Sequence, residues 1–331
     1  MDKIVKCISE MSKIVLVFLI CTADIKYSYI QILTSKKSNH KRKDYSMDII
    51  QENTFQNATG KIDYTLMNDY MFRAVLQENK KVLKGLICSL LHLSPEIIKS
   101  TVILNPIELG KGYDSKTFVL DVKVLLNDET IINLEMQVAK QDFWTNRSLS
   151  YLCSIFQNLE SGDDYSKVKP VYHIGILDFS PFPDYPEFYA TNKMINVKKH
   201  YIYNDNFTLN VLDLNQIELA TEEDKAYKID YWAKLFKAKT WEDIKMLAQN
   251  DTVFEEACET VYKMNQNDEV RYLCEMREEG ERILRTYQNM LKRSADTIAE
   301  KDIALAEKDA ALKESAAKIA ELQAQIKALQ Q

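Results

Sequence analysis

Residues 117–139, TFVLDVKVLLNDETIINLEMQVA, form a pattern that predicts a β-hairpin. Two runs within them, 117–126 and 131–138, are rich in apolar and β-branched residues, which favour strands. The polar residues 127–130 between the runs are of the kinds that form turns. The segment therefore predicts two neighbouring antiparallel strands, and both of them also carry charge.

Each strand of this hairpin has one apolar face and one polar face. Because strand side chains alternate between faces, Asp121 and Lys123 share a face on the first strand, and Glu135 and Gln137 share a face on the second. A three-residue loop places Asp121 opposite Glu135, so that the polar faces coincide. A two-residue loop turns Asp121 toward the apolar side of its neighbour. The sequence leaves both registers open.

Converging polar faces predict a metal site. Two carboxylates on one face repel each other unless a cation lies between them, and Mg²⁺ prefers oxygen ligands and keeps several waters. Such an ion lowers the pKa of a bound water and offsets charge that develops on a phosphodiester. Gln137 is placed to orient that water, and Lys123 to supply a positive charge. The alternative is an exposed strand face that is polar without a function.

The order and spacing of several segments resemble a known family. They are NDYMF at 68–72, FVLDVK at 118–123, NLEMQV at 133–138, then Phe143, Arg147, Tyr151 and GDDY at 162–165. This set resembles the recombination-promoting nuclease/putative transposase family, a branch of the PD-(D/E)XK nuclease superfamily. The resemblance covers about residues 60–290.

The resemblance implies an α/β fold with a restriction-endonuclease-like mixed sheet flanked by helices, and a metal-dependent DNA endonuclease. It implies that Asp121 is the metal-binding aspartate and that Glu135 is its acidic partner. Asp69 resembles the acidic residue that the first helix contributes, and we expect the Met136 carbonyl to assist as a metal ligand. The expected cofactor is Mg²⁺ and the expected partner is DNA.

The chain departs from the superfamily pattern at one position. Gln137 falls where most members have lysine, as is usual for this branch, and Lys123 is the candidate for a migrated lysine. Arg147 and Tyr151 share a helix face at i, i+4. Arg147 is therefore either a phosphate ligand, since a planar guanidinium suits phosphate, or a structural ion pair with a packed ring.

The composition is also compatible with functions other than that of a metal-dependent endonuclease. The net charge of −6 argues mildly against strong non-specific DNA binding, although a local basic groove is compatible with it. One alternative is a catalytically silent scaffold that binds DNA or protein and oligomerises through its tail. A toxin-like nuclease held by a partner is another.

The N-terminal residues 1–46 are predicted to be a leader that is not part of the native protein. An apolar run at 14–21 follows three lysines, but it is shorter than the roughly 20 residues that a membrane span needs. A basic segment at 35–43 precedes Met47. A disordered or membrane-touching leader and a secretory signal are the alternatives. The six cysteines form no C-x-x-C pair and are dispersed through apolar contexts, which predicts buried, reduced thiols in a cytoplasmic protein. No membrane partner is expected.

Periodicity divides the rest of the chain into three parts. The predicted nuclease core, 60–215, holds a helix at 70–91, a strand at 101–109, the hairpin, a helix at 143–159, and strands at 171–179, 188–195 and 207–214. A helical region, 216–290, follows, with its last helix at 270–287.

The tail, 295–331, repeats every seven residues. Apolar side chains recur at Ile298, Leu305, Leu312, Ile319 and Ile326. A heptad spacing predicts an alanine-rich coiled coil that joins copies of the chain into a homo-oligomer. The second seam position is apolar only near the end, so a solvated single helix is the alternative.

Overall fold

The computed structural model describes residues 54–104, 107–108, 118–119, 121–140, 142–157, 159, 162–249 and 251–329. The predicted leader at 1–46 lies outside these residues. The helices are α1 (Asp69–Glu78), α2 (Lys80–Leu90), α3 (Trp144–Phe156), α4 (Glu222–Ala226), α5 (Ile229–Lys237), α6 (Trp241–Ala248), α7 (Thr252–Asn265) and α8 (Asp268–Leu329). The strands are β1 (Thr101–Ile103), β2 (Ile107–Glu108), β3 (Phe118–Val119), β4 (Val122–Leu126), β5 (Thr130–Gln137), β6 (Val171–Leu177), β7 (Tyr189–Lys193) and β8 (Phe207–Asp213).

The hairpin of β4 and β5 adopts the register in which the polar faces coincide. Leu126 pairs with Thr130 across a three-residue loop. Asn127 and Asp128 both have positive φ, at 50° and 60°, a conformation that these two residue types tolerate. The Asn127 side chain also accepts hydrogen bonds from two backbone N–H groups, those of Lys99 and Ser100. The turn is thus fixed by its own sequence and by contacts to a distant loop.

The described strands form a mixed sheet of six, in the order β1-β4-β5-β6-β8-β7, and a separate pair, β2-β3. The β5–β6 and β6–β8 pairs are parallel, and the others in the large sheet are antiparallel. Helix α3 connects β5 to β6. The predicted mixed sheet flanked by helices is confirmed, and strand β5 occupies an inner position of it.

Both faces of β5 are covered. Ile132 and Leu134 pack into the large cluster that includes α1, α2 and the helices after β8, whereas Ile131 packs with Leu152 of α3 on the other side. The polar residues of β5 therefore point into the protein, and Glu135 is only 2% exposed. This burial contradicts the expectation of an exposed face at Glu135.

The single helix expected at 70–91 is wrong, because Asn79 divides it into α1 and α2. Asn79 is extended, with φ −122° and ψ 103°, and its side-chain oxygen accepts from the backbone N–H groups of Lys81 and Val82. Its amide donates to Glu256 and Thr260 of α7. An asparagine that caps the next helix and is anchored by a third one outweighs the helical periodicity.

The C-terminal region is one helix where two segments were expected. Helix α8 runs from Asp268 to Leu329 without a break between the predicted helix at 270–287 and the tail. Helices α5, α6 and α7 share the large hydrophobic cluster with α1 and α2. A coiled coil is not confirmed, since one chain is present. Within the described part of the chain, no helix is long and apolar enough to cross a membrane.

Candidate active site

Asp121 is the residue immediately before β4, at the end of the β4–β5 ladder that is farther from the turn. The last pair joins Val122 to Leu134, so the next step of the same register places Asp121 opposite Glu135. The Met136 N–H donates to Asp121 Oδ2 at 3.0 Å. The carboxylate thus accepts a bond from the neighbouring strand where the regular ladder stops. This contact fixes the aspartate beside the strand that carries Glu135.

A chain of ion pairs connects Asp121 to helices α1 and α8. One nitrogen of Arg73, Nη2, lies 3.1 Å from Asp69 Oδ2 and 3.5 Å from Asp121 Oδ1. Arg277 of α8 contacts the other oxygen of Asp69, with Nε–Oδ1 at 3.0 Å. The side chains of Asp69, Arg73 and Asp121 are all at most 15% exposed. Two of the predicted acids therefore share one buried guanidinium.

Glu135 is held by Arg147 of helix α3. Nε and Nη2 of Arg147 lie 3.0 Å and 2.8 Å from Glu135 Oε1. The guanidinium also lies over the ring of Tyr151, 4.7 Å from its centroid. Burial raises the pKa of Tyr151 to about 12, opposed by Arg147, so this hydroxyl is protonated at neutral pH. Arg147 thus makes the ion pair with a packed ring, and its partner is the candidate metal ligand.

Burial changes the acidity of Asp121. It raises the pKa of the Asp121 carboxyl; nearby Arg73 opposes this shift and Asp69 adds to it. A carboxyl whose charged form is disfavoured in this way is stabilised by additional positive charge. A cation beside Asp121 would supply that charge.

Two polar residues that the sequence did not single out lie beneath Glu135. Asn133 of β5 and His173 of β6 are fully buried neighbours, with Nδ2 and Nδ1 2.8 Å apart. When the amide donates to Nδ1, the imidazole proton is on Nε2, which lies 3.6 Å from Glu135 Oε2. Burial, with a contribution from Arg147, lowers the pKa of His173 to about 3. A neutral imidazole therefore lies against the glutamate.

Gly175 determines how closely α3 approaches the sheet. It pairs with Glu135, and a Cβ on it would lie 2.4 Å from Cζ2 of Trp144. Trp144 is the first residue of α3 and is buried, so the indole rests on the glycine backbone. Arg147 follows one turn later. A lone glycine inside an apolar strand signals such a close approach, and this signal was present in the sequence at VYHIGIL.

The remaining predicted residues lie at the margins of this cluster. Gln137 is one alternation beyond Glu135, and its amide donates to the Ala139 carbonyl at 3.3 Å. Lys123 pairs with Asn133, which places it nearer the turn than Asp121 and Glu135, and it is half-buried. Met136 meets Asp121 through its N–H. The structure thus brings together Asp121, Glu135, Asp69 and Arg147, with Gln137 and Lys123 on either side.

Two carboxylates, those of Asp121 and Glu135, are the side-chain donors that could hold a hard divalent cation here. No group of three or more His, Cys, Asp and Glu side chains in the described ranges is arranged to hold a metal. Asp121 and Glu135 could supply two oxygen ligands, with waters and a substrate phosphate as the others, which is usual for Mg²⁺. Asp69 is separated from them by Arg73.

One comparison with known proteins identifies a family for this chain. Residues 66–292, more than half of the chain, match the family described as PD-(D/E)XK nuclease family transposase. The chain belongs to this family. Membership in the PD-(D/E)XK transposase family indicates a nuclease-type function and DNA as the substrate class. A search of curated proteins and a search of solved structures found no match.

Proposed function

We propose that this PD-(D/E)XK family member is a Mg²⁺-dependent DNA endonuclease that hydrolyses phosphodiester bonds. The observation that carries the proposal is the hairpin register, which ends at the Val122–Leu134 pair and whose continuation by one step sets Asp121 opposite Glu135. Both carboxylates are largely buried, at 15% and 3% exposure of their side chains. Burying two acids at one point is unfavourable unless positive charge compensates them.

The proposed roles follow from where the side chains lie. Asp121 and Glu135 hold the cation, with the Met136 carbonyl as a further oxygen ligand. A bound ion would supply an activated water and would offset the charge of the transition state. Gln137 orients the water, and Lys123 adds positive charge near the phosphate. Asp69 keeps Arg73 directed at Asp121 through their shared contact.

Arg147 has two uses in this proposal. It neutralises Glu135 through a guanidinium that is one-third exposed, so one side of it is accessible from solvent. A cation at Glu135 would compete with Arg147 for the carboxylate. The released guanidinium suits a phosphate oxygen, for which its planar donors are well matched. The structural ion pair and the phosphate ligand would then be two positions of one side chain.

Nicking of supercoiled plasmid in Mg²⁺ and in EDTA tests the activity. We expect Asp121→Asn and Glu135→Gln to lose nicking, because each removes a ligand charge while conserving shape. Asp128→Asn and Glu129→Gln are matched controls, since they make the same changes in the turn of the same hairpin. The proposal fails if the site variants nick at the wild-type rate, or if nicking persists in EDTA.

A catalytically silent DNA- or protein-binding scaffold is the second candidate. The observation that favours it is that arginines already engage both carboxylates, Arg73 at Asp121 and Arg147 at Glu135. Ion pairs of this kind can also have a purely structural role, without a bound cation. The scaffold predicts DNA binding without metal-dependent nicking, whereas the endonuclease predicts both.

Self-association through α8 is part of the proposal. Seven exposed apolar residues recur at seven-residue intervals, which extends the predicted seam toward the core; they are Leu284, Leu291, Ile298, Leu305, Leu312, Ile319 and Ile326. On a straight helix, such a repeat drifts by about 20° per heptad, so it stays on one side only in a supercoil. The seam therefore favours a second copy over a solvated helix.

A further inference from the structure

An eleven-residue hairpin begins at the last residue of the edge strand β7. We call residues 193–203 the finger. Its two sides are joined by a bridge between Ile195 and Ile202. Two backbone hydrogen bonds close it, from Asn196 N to the Tyr201 carbonyl at 2.8 Å and from Tyr203 N to the Met194 carbonyl at 2.9 Å. The finger is thus a preformed hairpin, so binding a partner would require little further ordering of its backbone.

The end of the finger is also fixed in shape. The Asn196 side-chain oxygen accepts from the backbone N–H groups of Lys198 and Lys199, at 3.1 Å and 2.9 Å. His200 has a positive φ of 57°, and its N–H donates to the Asn196 carbonyl at 2.8 Å. The turn therefore presents two adjacent lysines at a defined place.

The surface of the finger is unusually apolar for an exposed segment. Six of its large apolar or aromatic side chains are between 44% and 82% exposed; they are Met194, Ile195, Val197, Tyr201, Ile202 and Tyr203. Single exposed apolar residues are common, but a contiguous group marks an interaction surface. A preformed hairpin with such a surface is suited to binding.

The charge of the finger selects the kind of partner. Residues 193–203 contain three lysines and no acid, although the chain as a whole has a net charge of −6. Lys193 pairs with Asp205 at 2.9 Å, whereas Lys198 and Lys199 are exposed at the end. Lysines bind phosphates, and tyrosines stack on bases or pack on sugars. This combination fits a nucleic acid.

The sheet register gives the position of the finger relative to the candidate site. Ala190 of β7 is level with Val211, Gly175 and Glu135 across the sheet. Lys193, where the finger begins, is three residues further along and three strands away from β5. This offset corresponds to about 10 Å along the strands and about 14 Å across them. The two offsets combine to about 17 Å, which equals the rise of about five base pairs at about 3.4 Å each.

We propose that the finger is a DNA-binding element that contacts the duplex flanking the cleaved bond. The choice of DNA rests on the proposed function, and the finger adds a second contact that the catalytic cluster does not provide. Lys198 and Lys199 bind phosphates. Val197 and Tyr203 pack on the adjacent sugars or bases.

Fluorescence anisotropy of the full chain with a labelled duplex of about 30 base pairs, in EDTA, tests this inference. For the double variant Lys198→Ala, Lys199→Ala we expect binding about tenfold weaker and a salt slope smaller by about 1.8, since each lost phosphate contact removes about 0.9. Lys313→Ala with Lys318→Ala on α8 is the matched control, because it makes the same change of charge at exposed lysines. The control should bind like the wild type.

A second variant separates packing from charge. Val197→Ser with Tyr203→Ser should weaken binding and leave the salt slope unchanged. The inference is overturned if the lysine variant keeps the wild-type affinity and slope, if the α8 control loses as much, or if the wild type does not bind the duplex. It is also overturned if sedimentation shows that the finger variants lose self-association instead, which would make a second copy the partner.

The two proposals can fail separately. Binding in EDTA requires no catalysis, so a wild type that binds through the finger but does not nick would refute the endonuclease alone. A wild type that nicks while the lysine variant binds normally would refute the finger alone.

Discussion

The β4–β5 hairpin and the distal part of α8 depart from the usual distribution of polar and apolar residues in opposite directions. At the hairpin, charged side chains are buried, and arginines compensate them. Along α8, apolar side chains such as Leu312, at 67%, are exposed. Each arrangement is costly for an isolated chain. We propose that the hairpin offsets this cost with a cation and a substrate, and that the helix offsets it by packing against another chain.

Removing the compensating charge at the hairpin should have the largest effect on stability. We expect Arg147→Ala to lower the free energy of unfolding by about 3 kcal/mol, because it leaves a buried carboxylate without its guanidinium. Adding Glu135→Gln should restore most of that loss. Urea unfolding measures both. Arg285→Ala, on exposed α8, is the control, and an equal loss from it would show that the burial at Glu135 carries no energetic consequence.

Alanine substitutions at two glycines, one beside the hairpin and one on α8, compare the packing of the two regions. Gly175→Ala should destabilise the fold by about 2 kcal/mol, since its Cβ meets the buried Trp144. Gly280→Ala on α8 should be neutral or stabilising by up to about 1 kcal/mol, because nothing lies within 4 Å of the new Cβ and alanine favours a helix. Thermal unfolding of both variants measures this difference. Equal shifts would contradict the close approach of α3 to the sheet.

Removing the tail should have the smallest effect on the fold and a clear effect on mass. Deleting residues 295–331 should leave the thermal midpoint of the core nearly unchanged, because this part of α8 is exposed. The sedimentation mass at micromolar concentration should fall to that of one chain. If the truncated and full proteins are both single chains, the seam does not join copies and the solvated helix is correct.

The sequence predicted the two strands of the hairpin because their signals are local, but it left the register open and the structure decides it. Alternation placed Asp121 and Glu135 on polar faces, and the three-residue loop is the one that aligns them. The strands at 171–179, 188–195 and 207–214 were found for the same reason, each to within a few residues. Local periodicity failed at Asn79, where contacts from α7 end a helix that the pattern continues.

The surroundings of the site could not be predicted because they depend on distant pairing. His173 meets Glu135 only through the parallel alignment of β5 with β6. Arg277 reaches Asp69 across 208 residues of sequence. Arg73 is four residues after Asp69, so this pair was visible as a helical spacing, but its second contact with Asp121 was not. Side chains that compensate a buried acid come from whichever elements pack beside it.

The most direct test of the central claim is whether the Asp121–Glu135 pair binds a divalent cation. Thermal unfolding of the full chain should be measured with increasing Mg²⁺, since a ligand that binds the folded state alone raises its midpoint. We predict that the wild type and the turn control Asp128→Asn rise together, and that Asp121→Asn and Glu135→Gln do not respond. An equal rise in all four proteins, or none in the wild type, would contradict a metal site at the hairpin.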